Sequence, residues 1–126
     1  MPSQSTPEPH LPLFAFGTLR RSECNHGLLF GRYDRCLPAT LPGFRVTTAS
    51  HGFAVVVEDH GESVAGELFF LHDDLYDETL RRCDDLEDIP LGEAVGQYYR
   101  RVRRAVTTAE GQHAAWVYAD PSTPAT

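Results

Sequence analysis

The chain contains no lysine, so all 11 of its basic side chains are arginine. Without a lysine amine there is no Schiff base, no pyridoxal phosphate anchor and no phosphate-loop lysine. Cysteine is sparse. Cys24, Cys36 and Cys83 are an odd number at wide spacing, which suits neither a disulfide framework nor a paired C-x-x-C zinc site and points to a reducing, cytoplasmic setting. None of the histidines (His10, His26, His51, His60, His72, His113) stands at H-x-x-x-H spacing, so no helical zinc pair can be drawn. No metal and no other cofactor is expected. Long apolar runs are missing as well: runs such as Phe53 to Val57 fall far short of the ~20 residues a bilayer crossing needs. Positive charge is also in deficit, and a formal net charge of -7 argues against a partner held by its phosphate backbone. Neither a membrane nor a nucleic acid is the expected partner.

What is present suits one small domain. A length of 126 residues with 41% hydrophobic content supports one modest core and not two. Residues 1–10, rich in proline and serine, read as a disordered N-terminal tail without a basic start or an apolar stretch. Residues 11–120 read as the domain and 121–126 as a C-terminal tail.

Within the domain, Leu11 to Phe16 predicts a buried strand that breaks at Gly17 into a loop, and Asn25 to Phe30 a turn of helix. Pro38, Pro42 and Gly43 punctuate a connection leading to Phe44 to Thr48. The β-branched run Phe53 to Val57 predicts a strand, turned at Asp59-His60-Gly61-Glu62 into a return strand from Ser63 to Phe70. Asp73 and Asp74 are placed to cap a helix on which Leu75, Thr79, Cys83 and Leu86 recur at helical spacing, ending near Glu87. Pro90 and Gly92 mark a loop. A second hairpin runs from Tyr98 to Thr108 and from His113 to Ala119, turned at Glu110-Gly111. Strands, one main helix, then strands again indicate an α+β domain with a small mixed or antiparallel, barrel-like sheet carrying the helix on its side.

Several residues are candidates for chemistry. Gly17 at a strand end either provides a turn or opens a nest of backbone N–H groups for an anion, with Thr18 adding a hydroxyl. Asp84-Asp85-Leu86-Glu87-Asp88 gathers carboxylates at a helix C-terminus, where the dipole disfavours them and raises their pKa. As an acidic run it also suits a solvated surface, and Asp84, Asp85 and Asp88 are assigned there. Ser63 lacks the second glycine of a nucleophile elbow and reads as a strand residue. Cys24 and His26, two apart in a loop, are poorly placed as a thiol pair. Glu67 is a second acid, expected to face solvent from its strand. Arg100, Arg101, Arg103 and Arg104 are expected to pair with the helix carboxylates.

Four segments, in order, resemble the γ-glutamylcyclotransferase-like (AIG2-like) family, and within it the short γ-glutamylamine cyclotransferase type. Phe14-Ala15-Phe16-Gly17-Thr18-Leu19-Arg20-Arg21 with Asn25-His26 is similar to the family's opening strand and loop. Val64-Ala65-Gly66-Glu67-Leu68-Phe69 is similar to its V-x-G-E-L-[YF] strand, and Cys83-Asp84-Asp85-Leu86-Glu87 to its L-D-x-[FLY]-E segment. Tyr99-Arg100-Arg101-Val102 and Ala115-Trp116-Val117-Tyr118 are similar to its closing hairpin. Phe16 stands where tyrosine is usual, Cys83 where leucine is, and Asp88 where glycine is common. The segment from Asp88 to Gln97 looks longer than in many members.

The resemblance implies a cyclotransferase without cofactors. In it the substrate's α-amine attacks its own γ-carbonyl, releasing an amine and 5-oxoproline, so the chain needs no nucleophile of its own. It implies Glu87 as the acid–base residue, and Phe16, Gly17, Thr18, Leu19, Tyr99 and Tyr118 as the substrate-binding wall. Two alternatives remain: a non-catalytic module of the same fold that binds small amino compounds, and an amide hydrolase in which Glu87 activates water.

Overall fold

The computed structural model describes residues 10–17, 19, 21, 26–49, 52–93 and 95–126. Five strands, β1 (Leu13–Ala15), β2 (Tyr33–Thr48), β3 (Ala54–Leu71), β4 (Arg100–Thr108) and β5 (Gly111–Ala119), close into a barrel in the order β1-β3-β2-β4-β5. All neighbours are antiparallel except β1 and β5, whose parallel joint sets Leu13 opposite Trp116. The Trp116 N–H donates to the Pro12 carbonyl at 2.9 Å across that seam. The expected α+β barrel with one main helix is thus the observed architecture.

Side-chain alternation along the strands builds two cores from one sheet. Phe14, Leu68 and Val117 belong to a cluster with Leu41, Val56, Val102 and Val106 inside the barrel. Their chain neighbours Leu13, Phe69 and Tyr118 belong to a second cluster with Leu80, Cys83 and Ile89. The helix α1 (Tyr76–Leu86) therefore lies on the outside of the barrel, held by the opposite face of the same strands. Thr79 and Cys83 are both 0% exposed on its inward stripe.

Two connections differ from those expected. Pro38, Pro42 and Gly43 do not interrupt a loop; they lie within the single strand β2. Both prolines are exposed, and Pro42 stands where the ladder shifts register, the kind of place where a missing N–H is tolerated. Nor does the chain reverse at Asp59-His60-Gly61-Glu62. Pro42 pairs with Ser63 and Phe44 with Glu58, so these residues are extra length in the one strand β3, opposite Gly43. They form an outward irregularity, and the reversal lies earlier, between Thr48 and Ala54.

Asp73 and Asp74 begin a short 3-10 turn, Asp73–Leu75, ahead of α1, and make no side-chain cap; the acidic residues in the first turn of α1 are Asp77 and Glu78. The residues after Asp120, expected as a tail, lie against β4. The Arg103 N–H donates to the Ala125 carbonyl at 3.1 Å, Arg104 Nη2 to the Pro124 carbonyl at 2.6 Å, and Thr123 is buried. No helix among the described residues is long and apolar enough to cross a membrane.

Candidate active site

The C-terminal end of α1 sets the geometry of the site. Glu87 ends the helix, and Asp88 follows in the left-handed region at φ 58°. The Asp88 N–H donates to the Asp85 carbonyl at 3.1 Å and the Ile89 N–H to the Asp84 carbonyl at 2.9 Å. That is a Schellman closure, in which glycine usually takes the left-handed position. Ile89 is 1% exposed and anchors the turn in the core. The departure at Asp88 thus has a structural meaning: an aspartate occupies a backbone state that glycine enters without steric cost.

Glu87 faces a cavity of about 330 Å³. Its walls come from the end of β1 (Phe14, Ala15, Phe16, then Gly17 and Leu19), the start of β3 (Phe53, Ala54), the helix end (Leu86, Glu87, Asp88) and the aromatic side chains Tyr98, Tyr99 and Tyr118. Burial pushes the Glu87 carboxyl up to about 7, with the charges of Asp88 and Asp84 adding to the effect. A carboxyl titrating near neutrality exchanges protons efficiently in both directions.

The two expected tyrosines present rings more than hydroxyl protons. Tyr99 donates its hydroxyl proton to the Ala54 carbonyl at 2.8 Å, which ties the stretch before β4 to the start of β3. Burial, then the charge of Glu87, pushes its phenol up to about 12. Tyr118 donates to Asp84 Oδ1 at 2.6 Å. Asp84 is correspondingly not on the solvated surface assigned to it: it is 7% exposed, with Arg101 Nε 3.2 Å from the same oxygen. A helix stripe facing the barrel includes Asp84 together with Leu80 and Cys83, which the count of carboxylates concealed. Asp85 and Asp88 are exposed as expected, Asp85 pairing with Arg81 at 2.7 Å.

Of the four late arginines, Arg101 alone pairs with a helix carboxylate among the described contacts, whereas Arg104 reaches Glu58 and Arg100 the Thr123 carbonyl. Their alternation along β4 sends neighbours to opposite faces. Glu67, expected to face solvent, accepts from the Arg21 N–H at 2.6 Å and from Arg21 Nε at 2.9 Å. It is committed to that arginine and is not part of the cavity wall.

The loop after β1 is held by His26, whose Nδ1 lies 3.0 Å from the Leu19 carbonyl while Tyr33 Oη lies 3.2 Å from Nε2. A carbonyl only accepts, so Nδ1 carries the proton and Nε2 receives the tyrosine's. Thr18 and Cys24 lie outside the described residues. Gly17 has no atom within 4 Å of where a Cβ would stand, so its value is open space at the cavity wall. Cys83 is a buried apolar filler whose thiol burial pushes up to about 12. Among the described residues, no group of three or more His, Cys, Asp or Glu gathers to hold a metal ion.

Phe53, Ala54 and Tyr98 are cavity residues that the linear pattern did not single out, and Asp88, noted as a departure from the family pattern, lines the cavity with them. Phe53 read as the first residue of a strand. Its one available signal is an aromatic placed directly after Gly52, which has φ 91°.

Gly96 keeps the helix end in place from behind. A Cβ there would stand 2.2 Å from the Asp88 carbonyl oxygen, a backbone contact with no flexible end to yield. Gly96→Ala is therefore expected to cost about 1–3 kcal/mol of stability and to displace the Asp88 turn. Chemical denaturation measures the first. A variant as stable as the parent would show that the 95–99 segment does not brace this turn.

The fold is a five-stranded barrel with one external helix, and a carboxyl raised by burial faces its largely aromatic cavity. The family model described as "Gamma-glutamyl cyclotransferase, AIG2-like" matches residues 13–125, and the chain belongs to that family. It is similar to the gamma-L-glutamyl-butirosin B gamma-glutamyl cyclotransferase of Niallia circulans, 29% identical over 106 residues covering 84% of this chain. The aligned region spans 64% of that relative's length. The fold is similar to YkqA of Bacillus subtilis at a TM-score of 0.66, with 23% identity over 87% of this chain and 35% of the other. It is also similar to an Arabidopsis thaliana protein solved in solution, at a TM-score of 0.66 and 20% identity over 94% of this chain and 66% of the other.

Proposed function

We propose that this chain is a γ-glutamyl cyclotransferase that converts a γ-glutamyl amide into 5-oxoproline and a free amine, with Glu87 as proton shuttle. The observation that carries this is a carboxyl pushed up to about 7, facing a small aromatic cavity. Family membership and the similar enzyme that acts on a γ-glutamyl compound support it.

In this reading the α-nitrogen of the substrate forms a bond to the γ-carbonyl carbon, and the bond from that carbon to the leaving nitrogen breaks. The ring closes with five members. Glu87 accepts a proton from the α-ammonium, whose reference pKa is about 8, and returns it to the leaving nitrogen, while the second proton lost as the ring nitrogen becomes an amide ends on the released amine, which departs as an ammonium. A bent glutamyl chain held in near-attack geometry gains most of its advantage from orientation, which a pocket walled by Phe16, Gly17, Leu19, Tyr99 and Tyr118 supplies. Thr18 is placed with them on the family resemblance. Among the described residues a thiol nucleophile is disfavoured, because burial holds Cys36 at about 11 and Cys83 at about 12.

The test is to incubate the protein with γ-glutamyl amides and identify the acid formed. 5-Oxoproline with one equivalent of amine is expected. Glutamate in its place would make the protein a hydrolase, and binding without turnover would make it a binding module.

A further inference from the structure

Among the described residues that line the cavity, Glu87 and Asp88 carry ionisable charge, and both are acids. Among the described residues, the arginines around the site are committed elsewhere: Arg21 to Glu67, Arg101 to Asp84, and Arg81 to Asp85 and the Ile89 carbonyl. Asp88 is exposed at the rim, and its left-handed φ of 58° is a position the fold by itself would give to glycine. A residue kept in a strained backbone state at a cavity edge invites a functional reason. The second rim feature is Phe53, a large ring left 63% exposed at the cavity wall.

Phe53 lies away from the residues assigned to the glutamyl end, and Asp88 shares its exposure at the rim. The segment from Phe16 to Leu19 leaves β1, whose last residue Ala15 pairs with Glu67 near one end of β3. Phe53 and Ala54 stand at the other end of β3, joined to Tyr99 through its hydroxyl. One wall is thus available to the glutamyl group and the other to whatever is attached to it.

Building on the cyclotransferase reading, we infer that the leaving amine carries a positive charge on an apolar stem, with Asp88 and Phe53 as its specificity-determining residues. The carboxylate of Asp88 attracts the distant cation and repels an anionic leaving group. The ring of Phe53 covers the stem and, by its negative face, also favours a cation. The reaction itself is unchanged: the leaving nitrogen departs with the proton Glu87 returns, and the second, cationic nitrogen takes no part in bond making.

The test uses three γ-glutamyl amides of matched length, made from 1,5-diaminopentane, pentylamine and 5-aminopentanoate. The ratio kcat/KM is expected to fall in that order, by about tenfold or more from the cationic to the anionic substrate at low salt. High salt compresses the series. Asp88→Asn, which keeps the shape and tolerates the left-handed backbone, is expected to cut the cationic-to-anionic ratio at least about threefold. Any effect of that substitution on Glu87 is common to all three substrates and cancels in the ratio. Phe53→Ala raises KM for the cationic and neutral substrates together. Equal turnover of cation and anion by the parent enzyme, or a ratio unmoved in Asp88→Asn, overturns the inference while leaving the cyclotransferase intact. Absence of 5-oxoproline from all three defeats the cyclotransferase reading itself.

Discussion

Glu87→Gln is expected to lower 5-oxoproline formation by about 10²–10⁴-fold, the usual reach of a positioned acid–base group, while making the folded protein more stable above neutral pH. The amide keeps the shape of the side chain and cannot accept the shuttled proton. The stability gain follows from linkage. Folded, the Glu87 carboxyl sits at about 7 against an ordinary value of 4.5, so the native state holds the proton more tightly than the unfolded chain. Well below pH 4.5 both states are protonated and the site costs nothing. As pH rises from 4.5 towards 7 the unfolded chain releases its proton first, and stability falls. Above that window the penalty is complete, at most on the order of 3–4 kcal/mol given ~1.4 kcal/mol per pH unit. Thermal melts of parent and variant should therefore coincide near pH 4 and separate by pH 8. Turnover near the parental rate in a folded variant would remove Glu87 as the shuttle. Glu67 is a poor replacement, because Arg21 occupies both of its oxygens.

Acetylating the α-amine of a γ-glutamyl amide should abolish product entirely, because the nucleophile is then no longer basic and no ring forms. The α-linked isomer should fail as well. There the reacting carbonyl stands beside the amine, and closure would require a three-membered ring. Varying the leaving amine changes binding and the fit of the rim; blocking the α-amine or moving the linkage removes the reaction. A hydrolase that activates water has no chemical need for the α-amine. Mass-spectrometric product analysis with the free amide, the N-acetyl amide and the α-isomer separates the two. Amine release from the N-acetyl compound at a rate comparable to the free one would defeat the cyclotransferase reading, whatever the charge preference at Asp88.

Much of the architecture is written in short-range patterns. The alternation in β4 and β5, the turn at Glu110-Gly111 and the helical spacing of Thr79, Cys83 and Leu86 were all legible, because a strand or a helix stripe is a local periodicity. Thr79 and Cys83 are indeed the fully buried residues of that stripe. The same local reasoning failed at Asp59 to Glu62, where a glycine-containing polar stretch has the composition of a turn. Whether such a stretch reverses the chain depends on which strand pairs alongside it. Here β2 continues past Gly43, and the extra residues bulge while the pairing resumes at Ser63.

The site divides in the same way. Motifs that resemble the family's offered Glu87, Gly17 and the two tyrosines Tyr99 and Tyr118 as candidates, since each motif is a contiguous piece. Burial is not a contiguous property. Four carboxylates within five residues look alike on paper, yet Asp84 turns inward to Tyr118 and Arg101 while Asp85 turns outward to Arg81. One residue along a helix is a rotation of about 100°, enough to exchange barrel for solvent.

By itself, then, the sequence determined the class of domain and the exclusion of lysine chemistry, because composition and local spacing suffice for these, while Glu87 was offered for proton transfer through resemblance to the family and not through spacing. Tertiary structure alone decided that Glu87 is raised towards neutrality, that Tyr118 spends its hydroxyl on Asp84, and that Phe53, distant in sequence, lines the same cavity as Asp88. Each of these depends on what water is excluded from and which strands meet, and those are properties of the closed barrel with its helix in place.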